Sequence, residues 1–162
     1  MTAFTVWKYD DPAGAARASS VVEQAEQYGL VKVVDHAVVS WPTGADRPTT
    51  KHGKDETMRW TGWGALWGLL FGAMFALPVL GVAAGAAAGG LLKAREGLGI
   101  TDEQLDRIRS EITEGTSALF LVTDQADLDR LGERLRGWHS RLLETNLTEG
   151  ERRILMETVG GR

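Results

Sequence analysis

The chain has 162 residues, enough for one domain of ordinary size. Its formal net charge is −4 with 25% charged residues, and a net acidic chain without a basic patch argues against nucleic acid as the main partner. The absence of cysteine excludes disulfides, iron–sulfur clusters and thiol catalysis, and it fits a reducing cytosol. The opening residues, MTAFTVWKYDDP, lack the basic and apolar regions of a signal peptide, so we expect no secretory leader.

The first part of the chain predicts a strand, a helix and a second strand. Residues 4–9 are β-branched and aromatic, which is typical of a strand. Residues 10–12, Asp-Asp-Pro, predict an aspartate cap followed by proline at the first helical position. An apolar stripe at helical spacing then runs through residues 13–28, and Gly29 is placed to end the helix. Residues 31–41 predict the second strand, so a β-α-β unit is complete by residue 41.

A polar stretch over residues 42–57 predicts a loop or a short hairpin extension. It leads to residues 60–92, which form a run of 33 residues without one charged side chain. Glycines recur there with a period of four on both sides of a proline: Gly64, Gly68 and Gly72, then Pro78, then Gly81, Gly85 and Gly89. This period places each triplet on one helix face, where a second helix can approach closely, as in the small-xxx-small packing of bilayers. In water each such glycine costs about 1 kcal/mol relative to alanine, so close packing has to compensate.

The proline divides this apolar segment. Pro78 lacks a backbone donor and clashes with the preceding turn, and it pushes Leu77 out of helical geometry. We therefore predict two helices, about 63–77 and 79–92, folded back as a hairpin, with one kinked helix as the alternative. A single helix would run about 50 Å, too long for a hydrocarbon core of about 30 Å. Each arm would measure only about 21–23 Å, which favours a re-entrant hairpin, or arms that thin the bilayer or self-assemble.

The flanks of the segment favour the hairpin. Basic side chains stand on both sides of it, which places both ends in the cytoplasm: Lys51, Lys54 and Arg59 before, Lys93 and Arg95 after. Three tryptophans at helical spacing mark the start of the segment as a membrane interface: Trp60, Trp63 and Trp67. Apolar runs of 10–14 residues also occur as buried core helices, so the alternative is a soluble assembly that buries its hairpins against one another.

The second half begins with a capping box. Thr101 is placed as the cap and Gln104 as its partner three residues later. The predicted helix continues to about Glu114, and Gly115 stops it. Residues 117–123 predict a buried strand.

A second strand–helix–strand pattern follows. Asp124 is expected to cap a helix that carries an apolar stripe: Leu128, Leu131, Leu135 and Trp138. Residues 139–147 predict a fourth strand. The capping box 148–151 then opens a short terminal helix with Ile154, Leu155 and Val159.

The chain thus contains two β-α-β units, residues 4–41 and 117–147. Two such units predict an α+β fold of the ferredoxin-like kind, a four-stranded antiparallel sheet with helices on one face. The helical hairpin would be an insertion. The expected organisation is a first half of the α+β domain over 1–57, the glycine-zipper hairpin over 58–95, and the second half over 96–162.

Several stretches carry a resemblance to a known family: YDDPAGAA, VKVVDHAVVSW, the hairpin GALWGLLFGAMFALPVLGVAAGAAAGGL, LGITDEQLDRIRSEITEGTSALFLV and LLETNLTEGERRIL. Together they cover nearly the whole chain. The chain resembles a widespread bacterial family of unknown function, known only as probable membrane proteins with a glycine-zipper hairpin inserted in an α+β domain. Members usually have proline before the glycine of the GTSALFLV motif, where this chain has Glu114. The resemblance implies a membrane-associated protein with a cytoplasmic domain, and it supplies no reaction.

Residues that could carry chemistry have simpler structural explanations. A weak metal site or base is conceivable where the sheet brings His36, beside Asp35, near His139, although structural histidines explain the pattern better. His52 stands in a charged loop. The other candidates lack a defining feature of a calcium loop, a nucleophile elbow or a phosphate loop: Asp124, Asp127 and Asp129; Ser117; and residues 85–91. We therefore expect neither an enzyme nor a cofactor or metal.

The hypothesis from the sequence is a non-enzymatic membrane-associated protein that self-associates through its glycine-zipper hairpin. Its partners would be further copies of itself and the lipid bilayer, with both termini cytoplasmic and no nucleic acid. The alternative is a soluble homo-oligomeric shell or scaffold in the cytoplasm, with the hairpins buried inside. A third hypothesis, a small-ligand-binding regulatory domain, requires a pocket that a sequence cannot show.

Overall fold

A computed structural model of the chain describes residues 2–52, 101–124, 128–145 and 149–160. These ranges form five strands and four helices, in the following order: β1 (Thr2–Tyr9), α1 (Gly14–Gln27), β2 (Val33–Ser40), β3 (Thr49–His52), α2 (Asp102–Glu111), β4 (Ser117–Asp124), α3 (Leu128–Leu135), β5 (Arg141–Thr145) and α4 (Glu149–Gly160). The protein is of the α+β class, as the sequence predicts.

The five strands form one sheet in the order β3-β2-β4-β1-β5, and every neighbouring pair is antiparallel. The central strand β4 pairs with β2 on one side and with β1 on the other. The sheet has one strand more than predicted, because Thr49–His52 pairs with the end of β2. The expected hairpin extension after residue 42 is this short edge strand.

Helices cover both faces of the sheet. Successive side chains of a strand point to opposite faces, and the apolar side chains on each face pack against a helix. Helices α1, α3 and α4 cover one face, and their cluster includes Trp7 and Leu121. Helix α2 lies on the other face with Phe4 and Phe120, whose ring centroids are 6.3 Å apart. The prediction that helices lie on one face therefore holds for α1 and α3, while α2 takes the opposite face.

Local signals in the sequence set the ends of two helices. At the end of α1, Gly29 adopts φ +69° and donates to Glu26 O at 2.9 Å, while Leu30 donates to Ala25 O at 2.9 Å. This pair of bonds is a Schellman motif, which satisfies the last carbonyls of the helix. At the start of α2, Thr101 and Gln104 form both bonds of the predicted capping box.

The start of α1 differs from the prediction. The N-cap is Ala13 and makes no side-chain cap bond. Asp11 instead accepts a hydrogen bond from Ala13 N–H at 2.9 Å, which closes a turn just before the helix. Pro12 consequently precedes the first helical turn.

The second half also differs in detail. Helix α2 ends at Glu111, three residues before the predicted end, and Gly115 with φ +83° donates to Trp41 O at 2.7 Å. Helix α3 ends at Leu135, so Trp138 lies in the following turn and is 41% exposed instead of completing an apolar stripe. His139 adopts φ +58°, which a strand does not tolerate, and β5 begins only at Arg141.

Some predictions fall outside the described residues. They include the helical hairpin, the boundaries of the 58–95 insertion, and residues 125–127, which separate Asp124 at the end of β4 from the helix that it is predicted to cap. Of the helices within the described ranges, none combines the length and the apolarity that crossing a bilayer requires.

Candidate functional site

The residues predicted to pack helices or to mark a membrane interface lie outside the described ranges. They are Gly64, Gly68, Gly72, Pro78, Gly81, Gly85 and Gly89, and the tryptophans Trp60, Trp63 and Trp67. The described residues all belong to the α+β domain.

The sheet keeps the two predicted histidines apart. His36, Leu121, Thr5 and Thr145 form one row across β2, β4, β1 and β5. Three strand spacings, about 14 Å, therefore separate His36 from β5, and His139 lies beyond the far end of that strand. Within the described ranges, no group of three or more His, Cys, Asp or Glu side chains could hold a metal ion.

His36 is a buried residue beneath α1. Its Nε2 lies 3.1 Å from Glu23 Oε1, and its side chain is 3% exposed. Its Nδ1 has no hydrogen-bond partner in the described structure. Asp35, the neighbour on β2, accepts a hydrogen bond from the His36 backbone N–H at 2.7 Å. These contacts fix His36 against α1 and give it a structural role.

A small ion-pair cluster joins β1 and β5 to α2. Glu111 Oε2 lies 3.3 Å from Lys8 Nζ and 3.0 Å from Arg141 Nη2. The hydrogen bond and the charge of Lys8 lower the pKa of Glu111, and Arg141 adds to the effect. The cluster holds α2 over its face of the sheet.

Tyr9, the last residue of β1, belongs to the core cluster on the opposite face, under α1. Its hydroxyl and that of Ser140 are 2.6 Å apart, which ties the end of β1 to the turn before β5. Burial raises the pKa of Tyr9 to about 12, against a smaller opposing effect of the Ser140 hydrogen bond. A phenol that stays neutral to such high pH is suited to packing and hydrogen bonding.

A cavity of about 430 Å³ lies at the outer edge of β5, between α2 and α4, and we call it the edge cavity. Side chains from three elements line it: Gln104 and Arg107 of α2, Leu142, Leu143 and Thr145 of β5, and Glu149 and Arg152 of α4. Its lining thus includes two arginines, a glutamate and two leucines. It is the kind of pocket that the third hypothesis from the sequence requires.

The local structure explains how these groups meet. Gln104 fixes the start of α2 by accepting from Thr101 N–H, and its Nε2 donates to Thr145 O at 3.3 Å. The pairing of β1 with β5 contains a β-bulge: Val6 pairs with Glu144 and Trp7 with Leu142, so Leu143 is the extra residue. Leu142 belongs to the core cluster under α1, whereas Leu143 packs against the cluster under α2.

Sequence reasoning missed the edge cavity. Its residues come from positions 104–107, 142–145 and 149–152, and none of these stretches carries a recognised binding motif. Arg107 and Arg152 resemble ordinary surface charges on amphipathic helices when the sequence alone is considered. The composition of the chain cannot reveal such a site, because its residues meet only when β5, α2 and α4 pack together.

The fold and the edge cavity define an α+β protein with a five-stranded antiparallel sheet, helices on both faces and a polar cavity at one edge. Residues 61–160 match the family model described as "Protein of unknown function (DUF1269)". That match covers more than half of the chain, and the chain belongs to this family. No curated protein and no solved structure gave a significant match.

The family match confirms the resemblance to a family of unknown function. Its description names neither an activity nor a cellular location.

Proposed function

We propose that this protein is a non-enzymatic, membrane-associated protein that self-associates through a glycine-zipper hairpin, with the α+β domain on the cytoplasmic side. The observation that carries the proposal is the run of 33 uncharged residues at 60–92. Its two glycine triplets flank one proline, a pattern suited to close helix packing where lipid removes the hydrophobic drive for association.

The strand order supports a hairpin over a single crossing. Strands β1, β2 and β3 precede the apolar segment and β4 and β5 follow it, yet β4 lies between β2 and β1. Because the two halves are hydrogen-bonded in one sheet, residues 52 and 101 must lie on the same side of any bilayer. A segment between them that inserts must therefore return to the side from which it started.

The same order supports a ferredoxin-like domain as the carrier of the hairpin. Without the short β3, the strands follow the order β2-β4-β1-β5, and α1 and α3 each connect two of them over one face. This order is the one expected of a β-α-β-β-α-β arrangement, with β3, the segment 53–100 and α2 all in the connection between β2 and β4.

Fractionation of cells expressing the full chain tests membrane association. We expect the protein to pellet with membranes and to resist extraction by alkaline carbonate, because an inserted hairpin is held by its apolar surface rather than by charge. A large particle that stays soluble without detergent would contradict this and favour the shell or scaffold.

Bulky substitutions test self-association. Gly68→Leu and Gly85→Leu place four carbons on the predicted packing face and should reduce the native mass of the detergent-solubilised assembly. Ala87→Leu adds bulk about 200° away on the same predicted helix and should leave the assembly intact. If both glycine variants assemble as the wild type does, the glycine faces do not hold the subunits together.

A further inference from the structure

The edge cavity contains three ionisable side chains of known sign. Arg107 and Arg152 each carry a fixed positive charge, whereas Glu149 carries a negative one at neutral pH. The cavity thus borders side chains of both signs.

Two of these groups are available to a ligand. Within the described part of the chain, neither Arg152 nor Glu149 forms an ion pair or a side-chain hydrogen bond. They stand three positions apart on the first turn of α4 and both border the cavity. A guanidinium group recognises a carboxylate through two parallel hydrogen bonds, and a carboxylate accepts bonds from an ammonium group.

The rest of the lining adds an apolar surface. Leu142 and Leu143 of β5 also line the cavity; Leu142 is 8% exposed, and Leu143 is half-buried. Small-molecule sites typically measure about 300–1,000 Å³ and combine apolar walls with a few placed polar groups. The edge cavity, at about 430 Å³, is in the lower part of that range.

We infer that the edge cavity binds a small zwitterionic metabolite of the α-amino acid class. Its carboxylate pairs with the guanidinium of Arg152, and its ammonium group pairs with Glu149. Its aliphatic part contacts Leu143, the more exposed of the two leucines. A phosphate or other simple anion fits less well, because Glu149 then faces a second negative charge.

This inference does not depend on the proposed membrane association, since every residue that it uses belongs to the α+β domain. Its experiment can therefore succeed or fail whatever fractionation shows.

Isothermal titration of the purified full chain with each of the twenty common α-amino acids tests the inference. We expect at least one to bind saturably with one site per chain. Its analogue without the ammonium group and its analogue without the carboxylate should each bind about tenfold more weakly or worse, because each leaves one charged wall unpaired. If none of the twenty binds, or if the deaminated analogue binds equally well, the inference is wrong.

Two variants locate the binding site. Arg152→Gln should weaken binding of the same amino acid about tenfold or more, and Glu149→Gln should abolish the preference for the amino acid over its deaminated analogue. Arg109→Gln is the matched control, because Arg109 is an exposed arginine on α2 that does not line the edge cavity.

Circular dichroism and the unfolding midpoint establish that each variant is folded. Equal weakening by Arg109→Gln and Arg152→Gln would place binding elsewhere and overturn the assignment. A folded Arg152→Gln variant with wild-type affinity would overturn it as well.

Discussion

Glu111 on α2 accepts a hydrogen bond from Lys8 Nζ on β1 at 3.3 Å, across 103 positions of the chain. The Lys8 side chain is only 12% exposed, so its ammonium group has less access to water than that of a surface lysine. Arg141 reaches the same carboxylate oxygen from β5, but its side chain is 59% exposed. The Lys8–Glu111 pair is therefore the less exposed of the two ion pairs that join α2 to the sheet, beside the apolar packing of Ile108 and Ile112.

Replacing Glu111 should destabilise the domain. Glu111→Gln leaves Lys8 with a weaker partner, and we expect a loss of about 1–2 kcal/mol in the free energy of unfolding, measured with urea. Arg141→Gln removes only an exposed contact and should cost less than about 1 kcal/mol.

The same pair predicts an acid dependence. Because the folded state lowers the pKa of Glu111 below its ordinary 4.5, the stability from this group is complete above that value and is lost as pH falls through the folded pKa. The wild type should lose stability more steeply than Glu111→Gln in this acidic range. Identical pH profiles of the two proteins would show that Lys8 does not hold the carboxylate in its ionised form.

The contact between α3 and α4 depends on a glycine. A Cβ on Gly132 would collide with the Thr158 side chain and come within 3.2 Å of Leu155 O. Gly132→Ala should therefore destabilise the domain by about 1–3 kcal/mol, seen as a lower unfolding midpoint. Gly150, on the first turn of α4, has no atom within 4 Å of such a Cβ, so Gly150→Ala should be neutral or slightly stabilising. The close approach of the helices is refuted if both variants unfold alike.

Burial of Tyr9 predicts sensitivity to alkali. Its folded pKa of about 12 exceeds the ordinary 10.0, so the unfolded state loses the proton first and stability falls between about pH 10 and 12. A shift of this size corresponds to about 2–3 kcal/mol. In the variant Tyr28→Phe, Tyr9 is the one remaining tyrosine, and its ultraviolet titration should follow the folded pKa. Tyr9→Phe should remove that part of the alkaline loss, and a Tyr9 titration midpoint near 10 would refute the burial effect.

The contact between Glu23 and His36 predicts that mutations of the two residues have non-additive effects on the free energy of unfolding. Glu23→Ala leaves Nε2 of the buried His36 without its partner, and we expect a loss of about 1–3 kcal/mol. His36→Leu removes both ring nitrogens, including the partnerless Nδ1, and should cost less. In the His36→Leu background, Glu23→Ala should then have almost no further effect on the urea midpoint. Additive losses would mean that the two side chains do not interact.

The pairing of β4 with β1 and β2 predicts that both halves of the α+β domain lie on the same side of the membrane. The chain has no cysteine, so Ser20→Cys on α1 and Ser110→Cys on α2 each give one exposed thiol without background. A membrane-impermeant maleimide should label neither variant in intact cells and both after permeabilisation. Labelling of just one variant in intact cells would place the two halves on opposite sides, which contradicts the pairing of β4 with β1 and β2.

The parts of the fold that were predicted correctly are those with local causes. The Gly29 motif and the Thr101–Gln104 capping box each involve residues within a few positions of one another, so their sequence contains the whole interaction. The core strands β1 and β4 were predicted from apolar and β-branched runs for the same reason. Where a turn interrupted a pattern, as at Trp138 and His139, the period alone was misleading.

The sequence by itself determined the α+β class, the order of helices and strands apart from β3, and the presence of an uncharged glycine-rich segment over residues 60–92. Only the tertiary structure decided which strands are neighbours, that His36 and His139 lie apart, and that Arg107, Arg152 and two leucines border one cavity. The reason is physical: capping and periodicity act between residues a few positions apart, whereas strand pairing and cavities join residues that the chain separates by as many as 140 positions, as Thr5 and Thr145 show.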